Sequence, residues 1–325
     1  MTQSPPRRIA VVGAGGMGTA VAAFLARAGA DVLLIGRTRP HIDAIAASGV
    51  VVDQPDGTSF TSRPAATADP ASVPRGSVAA LVVLTKTFDT DQAAEATAHV
   101  LASDGIAVSL QNGLGNELVL ARHFGTERSL PGVTTIGAQR HEPGRITVSP
   151  STAAGASISH IGGPRVTDQS AALERALWLA EVLTGARLPA QAAADADHDI
   201  WGKLALAVMG PASAVLRRTV GDTWDQPDAR ALIRDMFDEA VAVAAAEGVA
   251  LEPEAAWAHA VRTYEGTGGH MTSMCTDVVQ GRRTEIDAMA GEVVRRADLW
   301  GIDVPVHRTI VRLVHVLEAT YPLAR

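Results

Sequence analysis

Residues 9–37, IAVVGAGGMGTAVAAFLARAGADVLLIGR, spell out a strand, a glycine-rich turn, a helix and a second strand. Residues 9–12 form a short β-branched run, too short for a helix and apolar enough for a buried strand. Gly13, Gly15 and Gly18 then give G-x-G-x-x-G where a helix should begin. The first glycine permits the tight turn, the second lets backbone approach a pyrophosphate, and the third lets the helix sit close on the sheet. The first N–H groups of the helix and its dipole would face those phosphates. Gly13, Ala14, Gly15, Gly16, Met17 and Gly18 are therefore the expected cofactor-binding turn. Met17, Ala20, Val21, Phe24, Leu25 and Ala28 make an apolar stripe along the helix, and Gly29 can close it.

The second strand, residues 31–35, runs into Gly36-Arg37. A site that prefers NAD usually carries Asp or Glu here to accept from the ribose 2′-OH. Arg37, with Arg39 close behind, instead suits a 2′-phosphate and points to NADP(H). The plain alternative is a solvated loop arginine.

Composition narrows the class. A chain of 325 residues has room for two domains and a substantial core. An apolar fraction of 47% with 19% charged residues fits a globular protein. The net charge of −7 argues against a nucleic-acid or anionic-membrane surface. Cys275 is the one cysteine, so no internal disulfide forms and a reducing cytoplasm is expected. No secretory h-region precedes the first strand, and no run reads as long enough to span a membrane. Ten histidines are scattered without metal-ligand spacing, and no metal is expected.

Further along, residues 50–62 look like a hairpin turning at Gln54-Pro55-Asp56-Gly57. Residues 78–84, VAALVVL, have the continuous apolar character of a parallel strand buried on both faces. They lead into Lys86-Thr87, at the carboxyl edge where such sheets place ligands. Residues 105–110 repeat the pattern and lead into Gln111-Asn112-Gly113; residues 132–136 lead to Gly137-Ala138. Residues 145–148 and 156–161 read as antiparallel strands extending the sheet. From about Leu173 the chain becomes helical in pattern, with a linker over roughly 189–197. Helices are expected at about 199–218, 229–247, 254–264, 284–299 and 305–321. The expected architecture is α/β: a Rossmann-type doubly wound parallel sheet domain (1–190) followed by an all-α domain (191–325).

Polar groups that follow strand ends are candidates for the site: Lys86, Asn112, and Ala138 beside Thr134-Thr135. Ordinary turn chemistry is the competing account of each. In the helical half, Lys203 stands among small and apolar residues, with Leu206, Ala207, Gly210 and Pro211 on its face. An ammonium there could attract a 2-keto acid carboxylate and protonate its carbonyl oxygen as hydride arrives; a surface lysine paired with Asp199 is the alternative. Thr284-Glu285-Ile286-Asp287 has the form of a capping box and would put Glu285 in the first turn of a helix. Ser273 could bind a carboxylate oxygen or merely cap a turn. Cys275 reads as a buried small apolar residue rather than a nucleophile.

Taken in order, GAGGMG with its following arginine, KTFDT, QNGLGNE, TTIGA, WGK, SMCTDVVQGRRTEID and GIDVP resemble the ketopantoate reductase (2-dehydropantoate 2-reductase) family over nearly the whole chain. The resemblance implies a Rossmann-type domain joined to a helical domain, with NADPH bound between them. It implies that Gly13, Gly15, Gly18, Arg37 and Lys86 serve the cofactor and that Asn112 touches cofactor or substrate. It implies Lys203 as catalytic acid, with Ser273 and Glu285 on the substrate side. One departure matters. The family usually carries asparagines four and eight residues after the lysine, and here those substrate-facing positions are Ala207 and Pro211. Pro211 removes a donor and should kink the helix. The expected activity is NADPH-dependent reduction of a small 2-keto acid, with ketopantoate to pantoate as the leading substrate. The alternatives are a paralogue reducing a more apolar keto acid or carbonyl compound, and a non-catalytic NADP-binding sensor. A homodimer fits the alanine-rich helical half.

Overall fold

The amino-terminal apolar run becomes β1 (Ile9–Val12), all four residues buried. The structure is a computed structural model that describes residues 7–162, 171–193 and 196–321. The chain divides into two compact units: Met1–Gln111 with Gly115–Ala196, and Asn112–Leu114 with Asp197–Arg325. The division falls after Ala196 rather than after residue 190, because the stretch expected to be linker contains a strand.

In the first unit the elements follow as α1 (Gly16–Arg27), β2 (Val32–Ile35), α2 (Arg39–Ser48), β3 (Val50–Asp53), β4 (Ser59–Ser62), β5 (Ala65–Thr67) and β6 (Val78–Val83). Then come α3 (Thr90–Thr97), β7 (Leu101–Ser109), α4 (Asn116–Phe124), β8 (Ser129–Leu130), β9 (Gly132–Thr134), β10 (Ala138–Glu142) and β11 (Arg145–Val148). The unit ends with α5 (Pro150–Ala153), β12 (Ser159–Gly162), α6 (Ala171–Gly185) and β13 (Ala190–Ala193). Six strands form one parallel sheet in the order β5-β2-β1-β6-β7-β8. Side chains alternate across it as the pleat requires. Ile9 and Val11 join the core under α1 and α6, while Ala10 and Val12 join the core with residues of α3 and α4. This is a Rossmann-type sheet with β1 between β2 and β6.

The strands after β9 do not extend that sheet as expected. β11 pairs with β10 and β3 in a four-stranded sheet, β10-β11-β3-β4, and β12 pairs with β13 and β9 in a three-stranded one. The reason lies in α1. Every residue from Gly18 to Leu25 is buried, which no one-sided amphipathic helix allows. α1 packs against β1 and β2 and also against β3, β4, β10 and β11, so the extra sheet covers a face that would otherwise expose Ala22 and Ala23. The hairpin at residues 54–57 is present as β3–β4.

The second unit is helical among its described residues: α7 (Asp197–Leu206), α8 (Met209–Leu216), α9 (Val220–Trp224), α10 (Pro227–Ala246), α11 (Pro253–Thr267), α12 (Ser273–Val279), α13 (Ala290–Trp300) and α14 (Pro305–Ala319). Its core gathers Trp201, Ile233, Met236, Phe237, Val243 and Val293. By length and composition, Asp197–Leu216 is apolar enough to cross a membrane, contrary to the reading of the sequence, yet 61% of its most apolar window is buried inside the protein. It is a core element of this unit, and it is broken.

The break has a chemical cause. Pro211 has no N–H to offer Ala207, and its ring crowds that carbonyl. The ladder therefore shifts: Gly210 N–H bonds to Ala207 O at 2.9 Å instead of reaching Leu206 O. The orphaned Leu206 carbonyl accepts from the Tyr264 hydroxyl at 2.6 Å. Tyr264 is buried, and that burial pushes its phenol pKa up while the Met209 N–H directed at its oxygen opposes the shift. Tyr264 thus fills the gap that the proline opens. Tyr264→Phe leaves a buried carbonyl unpaired, so the second unit should lose about 1–3 kcal/mol, read as a lowered denaturant midpoint with an unchanged slope.

Candidate active site

The glycine turn shows three different constraints. Gly13 has φ +116°, and a Cβ there would lie 2.6 Å from the backbone of Leu84 and Thr85. A Cβ on Gly18 would lie 1.9 Å from Gly13 O, so helix and turn touch backbone to backbone. Gly16 is equally tight, with Ala138 O at 2.2 Å from the same hypothetical atom. Gly15 is the opposite case, with nothing within 4 Å of its Cβ position. It is also the residue that caps α1, in an extended conformation without a side chain to bond the first N–H groups. Open space beside the helix start is what a pyrophosphate needs, so the turn fits a dinucleotide. Ala14, Met17 and Ala138 belong to this surround, Ala138 through its carbonyl under Gly16.

Arg37 follows β2 and is paired. Its Nη1 donates to Gln92 Oε1 at 2.9 Å, and its Nη2 donates to Asp89 Oδ2. Asp89 lies just past β6, one short turn after Lys86, whose carbonyl accepts from the Asp89 N–H at 2.9 Å. A second guanidinium reaches the turn from far along the chain: Arg140 Nη1 donates to Ala14 O at 3.3 Å. No signal in the sequence connects Arg140, on an exposed strand, with Ala14.

The second unit holds the ionisable cluster. Lys203 Nζ donates to Asn112 Oδ1 at 2.8 Å. Burial lowers the Lys203 pKa to about 8, against the opposing pull of the Glu285 carboxylate. Glu285 is itself buried. How Asn112 arrives is plain from its neighbours. Gly113 has φ +80°, and a Cβ there would lie 2.0 Å from Ala288 O. Leu114 N–H donates to that carbonyl at 3.1 Å. Residues 112–114 are therefore docked on the turn that follows Glu285, and this docking carries Asn112 to Lys203.

The docking also corrects an expectation. Residues 284–287 do not open a helix as a capping box. Ile286–Ala288 is a single 3₁₀ turn, Met289 leaves helical geometry at φ −104° and ψ −97°, and α13 begins only at Ala290. Thr284 N–H donates to Glu318 Oε1 at 2.7 Å, and Thr284 Oγ1 accepts from Ile286 N–H at 3.2 Å. With the Ala288 carbonyl bonded to Leu114, an uninterrupted helix would need that same acceptor. Glu285 precedes the turn instead of riding inside a helix.

Ser273 is the exposed first residue of α12, and the cap belongs to its neighbour: Thr272 Oγ1 accepts from Cys275 N–H at 3.1 Å. Cys275 is fully buried and its Sγ donates to Arg218 O at 3.4 Å. Ala207 is partly buried at the helix break and Pro211 buried just after it.

Gln111 is a residue the sequence reading passed over. It is buried at the end of β7, and its Nε2 donates to Thr85 O, Thr85 Oγ1 and Thr90 Oγ1 at 2.8–3.1 Å. Ser109 Oγ donates to its Oε1 at 3.0 Å. It therefore fixes the point from which the chain leaves for Asn112. A glutamine directly after the mostly apolar run 105–110 was the available signal, since a buried amide must find partners.

Comparisons with known proteins agree along the whole chain. The ketopantoate reductase PanE/ApbA family matches residues 9–156, and its C-terminal region matches residues 195–318. The 2-dehydropantoate 2-reductase of Halobacterium salinarum is 33% identical over 316 residues, covering 96% of this chain and 99% of that protein. The solved PanE/ApbA family ketopantoate reductase from Ralstonia eutropha JMP134 superposes with a TM-score of 0.84 at 28% identity, over 97% of this chain and 99% of the other. A D-mandelate dehydrogenase solved with NADH and anilino(oxo)acetate has a TM-score of 0.87 at 22% identity, over the same shares, and shares the fold. The protein is an oxidoreductase acting on CH–OH donors. On the strength of matches that span both units, the chain belongs to the ketopantoate reductase family.

Proposed function

We propose that this protein reduces a 2-keto acid to the 2-hydroxy acid with NADPH, and that ketopantoate, giving pantoate, is the leading substrate. The observation that carries the reading is the partly buried Lys203, held by Asn112 and under the charge of Glu285. Gly13, Gly15 and Gly18 at the start of α1 would hold the pyrophosphate, with Arg37 and Lys86 at its anionic groups. The bound nicotinamide supplies hydride to the carbonyl carbon.

The remaining chemistry belongs to the protein. Reduction leaves negative charge on the carbonyl oxygen, and Lys203 Nζ delivers the proton that neutralises it. A pKa near 8 suits an acid working close to neutrality, since proton transfer is best matched when donor pKa and ambient pH are similar. Asn112 Oδ1 fixes the ammonium's direction. Glu285 keeps it protonated against desolvation, because a nearby carboxylate favours the charged lysine. Ser273 is assigned to the substrate carboxylate.

A second reading has its own support. Ala207 and Pro211 offer no amide to a substrate hydroxyl, which suits a more apolar 2-keto acid. A buried hydroxyl left without a partner costs about 1–3 kcal/mol.

Three outcomes follow. Loss of NADPH absorbance should be observed with ketopantoate, and Lys203→Ala should lower kcat by about 10²–10⁴ while leaving NADPH binding intact; a fully active Lys203→Ala protein contradicts the assignment. Reduction depends on the ammonium, so kcat should be level below pH 8 and fall about tenfold per pH unit above it, as pH passes the lowered pKa. Finally, Ala207→Asn should raise kcat/KM for ketopantoate by about tenfold, one restored hydrogen bond being worth roughly that factor. Faster turnover of apolar 2-keto acids than of ketopantoate by the unaltered protein would favour the second reading.

A further inference from the structure

Arg37 does not wait alone for a phosphate. β2 and β6 flank β1, so their carboxyl ends lie about 9–10 Å apart, two strand spacings. Arg37, just beyond β2, reaches across that interval to Asp89, just beyond β6. Gln92, in the first turn of α3, takes the other amino group at 2.9 Å. The Arg37 side chain is 68% exposed and that of Asp89 23%, so the carboxylate is the more firmly placed partner.

We infer that Asp89 sets the cofactor selectivity of this protein, holding the preference for NADPH over NADH to a modest ratio. A 2′-phosphate carries close to two negative charges, and to reach the Arg37 guanidinium it must come within a few ångströms of the Asp89 carboxylate. Repulsion there offsets part of the attraction to arginine. The ribose 2′-OH of NADH meets the reverse situation. A carboxylate is its preferred acceptor in sites of this fold, where it ordinarily comes from the end of the second strand. Here that strand ends in Arg37, and the carboxylate comes from the neighbouring crossover. One paired set of side chains thus offers a cation to the phosphate and an acceptor to the hydroxyl. Arg140, bonded to Ala14 O, adds positive charge on the turn's other flank.

This inference rests on the proposed use of NADPH, and the experiment separates the two. Dissociation constants of NADPH and NADH are measured by nucleotide fluorescence, at one ionic strength, for the unaltered protein, Asp89→Asn, Asp89→Ser and Arg37→Gln. Both nucleotides should bind the unaltered protein, NADPH by less than about tenfold more tightly. Asp89→Asn should tighten NADPH about five- to tenfold, weaken NADH, and so widen the ratio. Asp89→Ser should change the ratio in the same direction. An unchanged or narrowed ratio in both variants overturns the inference and makes Asp89 a brace for Arg37. An Arg37→Gln protein that binds NADPH as tightly as the unaltered one overturns the cofactor reading itself, whatever the Asp89 variants do.

Discussion

A lysine ammonium stripped of water is unstable unless something nearby is built to keep it charged. In this protein burial lowers the Lys203 pKa to about 8, Glu285 opposes that fall and favours the ammonium, and Asn112 aims it. The arrangement depends on three residues leaving the first unit and packing with the second. Gly113 can make the approach because it tolerates φ +80° and carries no Cβ to strike Ala288 O. Leu114 fastens it with one backbone hydrogen bond. A β-branched residue at position 113 would meet both a backbone clash and a forbidden conformation.

The same economy of backbone contact runs through the glycine-rich turn. Gly13, Gly16 and Gly18 are tight against carbonyls, and Gly15 faces open space. These positions were legible in the sequence, because what they require is the absence of a side chain at fixed spacing. The four central parallel strands, β2, β1, β6 and β7, were legible too, since burial on both faces leaves a continuous apolar run; the short outer strands β5 and β8 were not. Most strands of the two smaller sheets were legible singly, but their grouping apart from the main sheet was not. Strands of three to five residues, such as β10 with its exposed polar face, have no periodicity of their own, and their place follows from the need to cover α1.

Pairings between distant residues account for the rest. Lys203 and Asn112 are each legible as candidates, but nothing in the chain across their separation of 91 positions says that they meet. The capping-box pattern at residues 284–287 misled for a related reason: Glu318 takes the Thr284 N–H that Asp287 would need, and Leu114 takes the Ala288 carbonyl, neither partner being visible locally. The helix kink went the other way. Pro211 announced it, and only the partner of the freed carbonyl, Tyr264, had to be found in the fold. Where a proline replaces an amide that the family usually carries, the chain has kept the lysine's helix and satisfied its broken end without that amide.

The most direct test of this account is to titrate Lys203 itself. In protein labelled with ¹⁵N-lysine, the Nζ resonance removed by Lys203→Arg identifies the residue, and its shift is followed with pH in the unaltered protein and in Asn112→Ala and Glu285→Gln variants. The account predicts a midpoint near 8 in the unaltered protein and a lower one in Glu285→Gln, because the favourable carboxylate is gone. A midpoint near 10.4, the ordinary lysine value, or one indifferent to Glu285, would contradict it.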